Sequence, residues 1–269
     1  MTAAVTSHAS ESPAPGQSRY PDLAGKVAVV TGGSRGIGAA TAQALATSGA
    51  TVAVVGRDQQ ALTAVTEDIQ AHGGRALPVR ADCTIEADVD QLAHTVINHF
   101  GPPDIIAAFA GGNGMPIPTM QETSAHWRDV LESDLTSTFL TTKTFLPAMI
   151  ERHHGSIITM SSAAARQAAR SNAAYAAAKA GVIAYTRHLA TEIAPDGIRV
   201  NCIAPSAIEN DHMQSWTTED QRQQLATSFP LRRIGQPDDV AAATLFLASD
   251  ASSWITGITL DIAGGKIMI

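Results

Sequence analysis

Runs of apolar, largely β-branched residues recur along the chain, and each is followed by a stretch with helical spacing. Residues 27–31 (VAVVT) show no polar alternation, as expected of a strand buried on both faces. The pattern then predicts a helix over 36–48, closed by Gly49, and a second strand over 51–55 (TVAVV). A helix at about 59–72 stops at Gly73-Gly74. A strand near 76–81, a helix near 86–99 and a strand at 104–108 follow, with Gly101-Pro102-Pro103 breaking the chain between the last two. A long helical segment covers about 124–151, with Pro147 interrupting its end. Residues 156–160 (SIITM) predict a strand, 172–194 a helix and 198–203 (IRVNCI) a further strand. After an irregular stretch come a helix over 237–248 and a final strand over 258–262. Such alternation predicts an α/β fold: a doubly wound parallel sheet of about seven strands, joined by right-handed crossovers, with helices on both faces. Ligands of such sheets gather at the carboxyl ends of the strands, so the loops after each strand are where chemistry is expected.

The ends and the composition narrow the class. Residues 1–22 (MTAAVTSHASESPAPGQSRYPD) are rich in Ser, Thr, Ala and Pro and lack both a basic start and an apolar h-region, so they read as a flexible tail, not a secretory signal. Residues 23–269 contain no internal repeat or long linker and read as one domain. No apolar run reaches the roughly 18 residues that a membrane helix needs. Small side chains dominate, with 48 alanines against six Phe, three Trp and three Tyr. So few aromatics argue against a stacking platform for single-stranded nucleic acid, and a net charge of −7 argues against any polyanion surface. Two cysteines, Cys83 and Cys202, make neither a disulfide scaffold nor a zinc site. The nine histidines include no ligand-like spacing, and the adjacent His153 and His154 would point apart on a helix. His126 and His188 read as surface or interface residues. A cytoplasmic protein with no metal, no membrane and no nucleic-acid partner is expected.

The first strand runs into Thr31-Gly32-Gly33-Ser34-Arg35-Gly36-Ile37-Gly38. Glycines here let the backbone turn tightly and approach a pyrophosphate, and the following helix N-terminus supplies amide donors and a positive dipole end. A glycine loop can also be a plain turn, but a buried strand before it and a helix after it are the required context for a dinucleotide. The second strand ends in Val54-Val55-Gly56-Arg57-Asp58. With Gly56 at the strand end, Arg57 and Arg35 can together hold a 2′-phosphate, which favours NADP(H). The alternatives are two solvated arginines, or a register shift of one residue that makes Asp58 a ribose carboxylate and the cofactor NAD(H).

Tyr175 and Lys179 lie four apart in NAAYAAAKAG and so share one helix face. An ammonium beside a phenol favours the phenolate, which makes the pair a workable proton donor or acceptor near neutral pH. Ser162 ends the SIITMSS segment at the carboxyl edge of the sheet, where its hydroxyl can hydrogen-bond a substrate carbonyl or the oxyanion formed from it. A Tyr-x-x-x-Lys pair alone arises readily by chance; its conjunction with Ser162 and the glycine loop does not.

Together these residues resemble the short-chain dehydrogenase/reductase family, from about residue 23 to 265, most closely its 3-oxoacyl-carrier-protein reductases and related ketoreductases. Thr31–Gly38 matches the family's TGxxxGxG loop, Asp82 its adenine-contacting aspartate, and Ala110-Gly111 the end of its NNAG motif. Ser162, Tyr175 and Lys179 match its catalytic Ser and YxxxK. Residues 198–201 (IRVN) and Pro205 match the segments before its nicotinamide loop, and 257–261 with Gly264-Gly265 its closing strand. The resemblance implies one Rossmann-like dinucleotide-binding and catalytic domain over 23–269. It implies cofactor contacts from Gly32, Ser34, Arg35, Gly36, Ile37, Gly38, Arg57, Asp82, Cys83, Ala110, Gly111, Tyr175, Lys179, Pro205 and Ile208. Cys83 itself reads as a buried, inert thiol.

By the same resemblance, hydride passes between the nicotinamide and a small carbonyl or alcohol substrate. Ser162 orients the carbonyl, Tyr175 exchanges the proton, and Lys179 holds the ribose hydroxyls. A homotetramer is implied, with the 124–151 helix, the Tyr-Lys helix and the last strand at its interfaces. Departures are visible. Ala108-Phe109 replace both asparagines of NNAG, Ser206 replaces a glycine, and Asn210 replaces the usual threonine. Asp134 stands where the family has its fourth catalytic residue, an asparagine. It is expected at the solvent end of the proton relay, with Asp134→Asn tolerated. Residues 207–229, with Met213, Trp216, Leu225 and Phe229, and residues 112–120 are the substrate-wall candidates; packing alone would explain either. Two other readings stand beside the ketoreductase: an NAD-dependent alcohol or hydroxysteroid-type dehydrogenase, and a cofactor-binding protein without catalysis.

Overall fold

The computed structural model describes residues 20–168, 170–210, 213, 215 and 217–268. Most of the expected tail, up to residue 19, and Trp216 lie outside the described residues. The chain is already packed at Tyr20, which lies against the core, and Pro21–Leu23 form a 3₁₀ turn with Leu23 buried.

Among the described residues seven strands form one parallel sheet in the order β3-β2-β1-β4-β5-β6-β7. They are β1 (Val27–Thr31), β2 (Thr51–Gly56), β3 (Arg75–Arg80), β4 (Ile105–Ala108), β5 (Gly155–Met160), β6 (Ile198–Pro205) and β7 (Thr259–Ile262). The helices are α1 (Gly36–Thr47), α2 (Gln59–Ala71), α3 (Glu86–Phe100), α4 (Ser124–Leu131), α5 (Ser137–Glu151), α6 (Ala173–Ile193), α7 (Glu219–Thr227) and α8 (Pro237–Ala248). Successive strand side chains point to opposite faces, so each strand feeds two cores. Val30, Val54, Ile158 and Ile203 pack under α1, α2 and α8, with Leu45, Leu62 and Leu247. Val29, Val55, Ile106 and Ile157 pack under α3, α5 and α6, with Leu92, Phe145 and Leu189. Because both faces are covered, the strands read as unbroken apolar runs.

The strand order reverses between β1 and β4, and a crevice opens at the carboxyl ends there. Side chains stitch this pair at both ends. Asp104 Oδ2 accepts the Val27 N–H at 2.8 Å, and Thr31 Oγ1 accepts the N–H groups of Phe109 and Ala110 at 3.0 and 3.1 Å.

Two local readings need correction. The 124–151 segment is not one helix. A π-turn at Glu132–Thr136 separates α4 from α5, and Pro147 does not interrupt α5, which runs through it to Glu151. Proline costs this helix one backbone bond, but the fully buried Phe145 and Met149 on either side hold the helix to the sheet. Between β6 and α8, residues 219–227 form α7, a helix that buries no residue and is started by a capping box between Thr218 and Gln221.

Candidate active site

A cleft of about 1730 Å³ lies across the carboxyl ends of the strands. Of the residues singled out above, Gly32, Ser34, Arg35, Gly36, Arg57, Asp82, Cys83, Ala110, Gly111, Ser162 and Tyr175 line it. Ile37, Gly38, Pro205, Ile208, Lys179 and Asp134 are not on its wall. Ile37 and Ile208 pack into the core beside the cleft, and Pro205 closes β6.

The floor is the β1–α1 loop. Gly32 has φ +67°, and a Cβ there would sit 2.7 Å from the Phe109 carbonyl oxygen. A Cβ on Gly38 would sit 2.1 Å from the Gly32 carbonyl oxygen, so this glycine lets α1 fold down onto the loop. The N-terminus of α1 has no side-chain cap, which leaves its first amides available to an anion. A backbone cradle of this kind fits the pyrophosphate of a dinucleotide.

At the far end of the floor each arginine is paired with a carboxylate. Arg35 Nη2 lies 3.0 Å from Asp58 Oδ2, and Arg57 Nη1 lies 3.8 Å from Asp82 Oδ2. Both guanidinium groups remain mostly exposed. Asp58 is the N-cap of α2, accepting the Ala61 N–H at 3.1 Å. Partial burial works to raise the Asp82 carboxyl, but the Thr84 amide and hydroxyl and Arg57 outweigh it and hold the group below its ordinary value. Burial pushes the neighbouring Cys83 thiol up to about 11, which makes it inert.

The middle of the cleft is built from β5 and α6. Ser162 follows β5 and starts the short turn Ala163–Ala165, where its Oγ accepts the Ala164 N–H at 3.2 Å. Arg166 fixes this turn to β7 through a two-pronged ion pair with Asp261, at 3.0 and 2.9 Å. Tyr175 stands in the first turn of α6, and Lys179 Nζ lies 5.5 Å from the centre of its ring. Lys179 is buried and donates to the Met160 carbonyl at 3.1 Å.

Asp134 is not at a solvent end. It is 0% exposed, and its Oδ1 lies 3.1 Å from Lys179 Nζ. The π-turn inserts one extra residue into the helical spiral, and Asp134 lies within it, turned to the interior.

Sequence reading missed Asn172. This residue is 1% exposed and caps α6, its Oδ1 accepting the Tyr175 N–H at 2.7 Å. Its Nδ2 donates to the carbonyls of Asn113 and Met115 at 2.7 and 3.0 Å, which ties the loop after β4 to the tyrosine. An Asn directly before an alanine-rich helix is an N-cap signal.

The remaining candidates separate. Asn113, Gly114, Met115 and Leu225 line the cleft, whereas Phe229 is buried and packs under Lys266. Asn210 lines the cleft and accepts the Met213 N–H. His126 lines the cleft with its ring hydrogen-bonded to the buried Glu122 side chain, whereas His188 pairs with Glu192 on the surface. No group of three or more metal-ligating side chains occurs among the described residues. No helix among them is long and apolar enough to cross a membrane.

A family model described as enoyl-(acyl carrier protein) reductase matches residues 32–266. The chain belongs to the short-chain dehydrogenase/reductase family. This short-chain dehydrogenase/reductase is 37% identical over 246 residues to the 3-oxoacyl-acyl-carrier-protein reductase FabG of Escherichia coli (strain K12), covering 91% of this chain and 98% of that protein. It is 37% identical over 245 residues to the 7alpha-hydroxysteroid dehydrogenase of the same strain, covering 91% and 95%. The solved structure of a 7alpha-hydroxysteroid dehydrogenase complexed with NADH and 7-oxo glycochenodeoxycholic acid superimposes with a TM-score of 0.87 at 35% identity, covering 93% of this chain and 97% of that one. As a short-chain dehydrogenase/reductase, the protein is an oxidoreductase of carbonyl and CH–OH groups that uses a nicotinamide cofactor.

Proposed function

We propose that this protein is an NADP(H)-dependent ketoreductase acting on a 3-oxoacyl thioester or a related ketone. The observation that carries the reading is that Ser162, after β5, and Tyr175, in the first turn of α6, line one cleft with the glycine loop, with Lys179 behind the Tyr175 ring. When bound, the nicotinamide supplies the hydride that reduces the carbonyl carbon. Gly32, Ser34 and the amides at the start of α1 would hold its pyrophosphate and Asp82 its adenine end, while Lys179 stands buried behind the Tyr175 ring. Ser162 donates a hydrogen bond to the substrate carbonyl and holds the oxygen as negative charge develops on it. Tyr175 gives its phenolic proton to that oxygen, so carbon gains the hydride, oxygen gains the proton and the product is an alcohol. In the reverse direction the same phenolic oxygen takes the proton back.

NADP(H) is favoured because Arg35 and Arg57 project, mostly exposed, from the same end of the cleft, suited to a 2′-phosphate. The Arg35–Asp58 ion pair favours the second reading, an NAD-dependent alcohol dehydrogenase, since a carboxylate there also suits a free ribose hydroxyl. We further infer a cytoplasmic homotetramer, supported by exposed apolar side chains on the elements expected at its interfaces: Trp127 on α4, Phe139 on α5 and Ile258 before β7.

The test is Tyr175→Phe. Carbonyl reduction should fall by at least about a hundredfold, while NADPH binding, followed by its fluorescence, stays within a fewfold of wild type. Near wild-type reduction in this variant would rule out Tyr175 as the proton donor.

A further inference from the structure

The neighbours of Asp134 all donate to it. Its Oδ1 accepts the Gly112 N–H at 2.6 Å and faces Lys179 Nζ at 3.1 Å. Its Oδ2 accepts the Ser133 hydroxyl at 2.8 Å and the Asn113 side-chain amide at 3.3 Å, with the Asn113 backbone N–H at 3.4 Å. The loop is pressed close on this carboxylate: a Cβ on Gly111 would sit 2.5 Å from Oδ1. Three residues further on the loop lies on the proton donor, where a Cβ on Gly114 would sit 3.0 Å from Tyr175 Cε1. The carbonyls of Asn113 and Met115 are meanwhile held by Asn172.

We propose that Asp134 is a positioning residue whose single carboxylate fixes the Lys179 ammonium and the 112–115 loop together, so that the loop on the Tyr175 ring and the charge behind that ring move as one unit. The proposal rests on the ketoreductase reading of the site. Asparagine has the same shape but the wrong chemistry for this set of neighbours. With its NH₂ facing the Asn113 donors it leaves them without an acceptor, and its one oxygen offers the buried ammonium a neutral partner in place of a carboxylate.

The titratable groups facing Lys179 are Asp134 from the π-turn, Tyr175 from α6 and Cys202 from β6. Burial pushes the Cys202 thiol above its ordinary value, which keeps it uncharged near neutral pH. Without Asp134, the buried ammonium loses the carboxylate that pairs with it and fixes its place behind the Tyr175 ring.

The experiment is Asp134→Asn, measured for kcat and KM and, without cofactor, for amide hydrogen exchange at Gly112 and Asn113. Both kcat and the ketone KM should worsen about tenfold, and both amides should exchange about tenfold faster. Asn113→Ala should raise KM and speed Gly112 exchange with a smaller loss of kcat than Asp134→Asn. An Asp134→Asn protein with wild-type kcat and wild-type exchange overturns the proposal. If that variant does not fold, unchanged KM and unchanged exchange in Asn113→Ala overturn it instead. Tyr175→Phe, run alongside, separates the two failures. Retained reduction there removes the underlying reading; lost reduction there, with an unaltered Asp134→Asn, removes this inference alone.

Discussion

Asn172→Ala should loosen the site from a position that touches neither reacting atom. Asn172 makes three bonds in a nearly dry place: it caps the Tyr175 amide and holds the Asn113 and Met115 carbonyls. Loss of an asparagine cap costs about 1 kcal/mol. Each loop carbonyl loses a donor, at about 1 kcal/mol net per bond, so the variant should be destabilised by about 3 kcal/mol. For a domain of this size that lowers Tm by about 6–12 °C. Reduction should fall about tenfold, because Tyr175 sits in the first turn and follows the cap. Asn172→Ser, which keeps a capping oxygen but not the amide donors, should recover about 1 kcal/mol of the loss. A melting scan and steady-state kinetics on the three proteins suffice. A Tm drop of less than about 2 °C in Asn172→Ala would show that the loop is held by other contacts and would refute the reasoning.

Two other outcomes follow from the cofactor end of the cleft. Arg57→Ala should cut the preference for NADPH over NADH about tenfold or more, read as the ratio of kcat/KM values; an unchanged ratio would remove the main support for NADP(H). Cys83, with its thiol pushed up to about 11, should resist iodoacetamide in native protein at pH 8 and react readily once the protein is unfolded; labelling of the native chain at the rate of a free thiol would contradict its burial.

The strands were legible because a sheet covered on both faces leaves no polar alternation, and their ends fall within a residue or two of the apolar runs. The glycine loop was legible because only glycine fits beneath the Phe109 carbonyl at position 32. Tyr175 and Lys179 could be placed together because helix geometry fixes residues four apart. The long-range contacts were not legible. A π-turn has no compositional signature, so nothing local indicated that Asp134 would be turned to the interior and meet Lys179. Asn172 carried a cap signal, but its grip on a loop some sixty residues earlier depends on how β4 and α6 come together. Pro147 marks no helix end, because the apolar anchors on either side of it outweigh one missing bond.

The two stitches between β1 and β4 bear on how the protein emerges during synthesis. Val27 and Thr31 wait for partners at Asp104, Phe109 and Ala110, so the glycine loop is complete in sequence long before its second wall exists. A nascent chain ending before those residues holds β1, β2 and β3 with an open edge where β4 belongs. Such an edge is prone to mispairing, and a parallel pairing over this distance is slow to close. The crevice for the cofactor therefore has both of its walls only once β4 has docked, although the glycine loop, Arg57 and Asp82 on its first wall are made earlier.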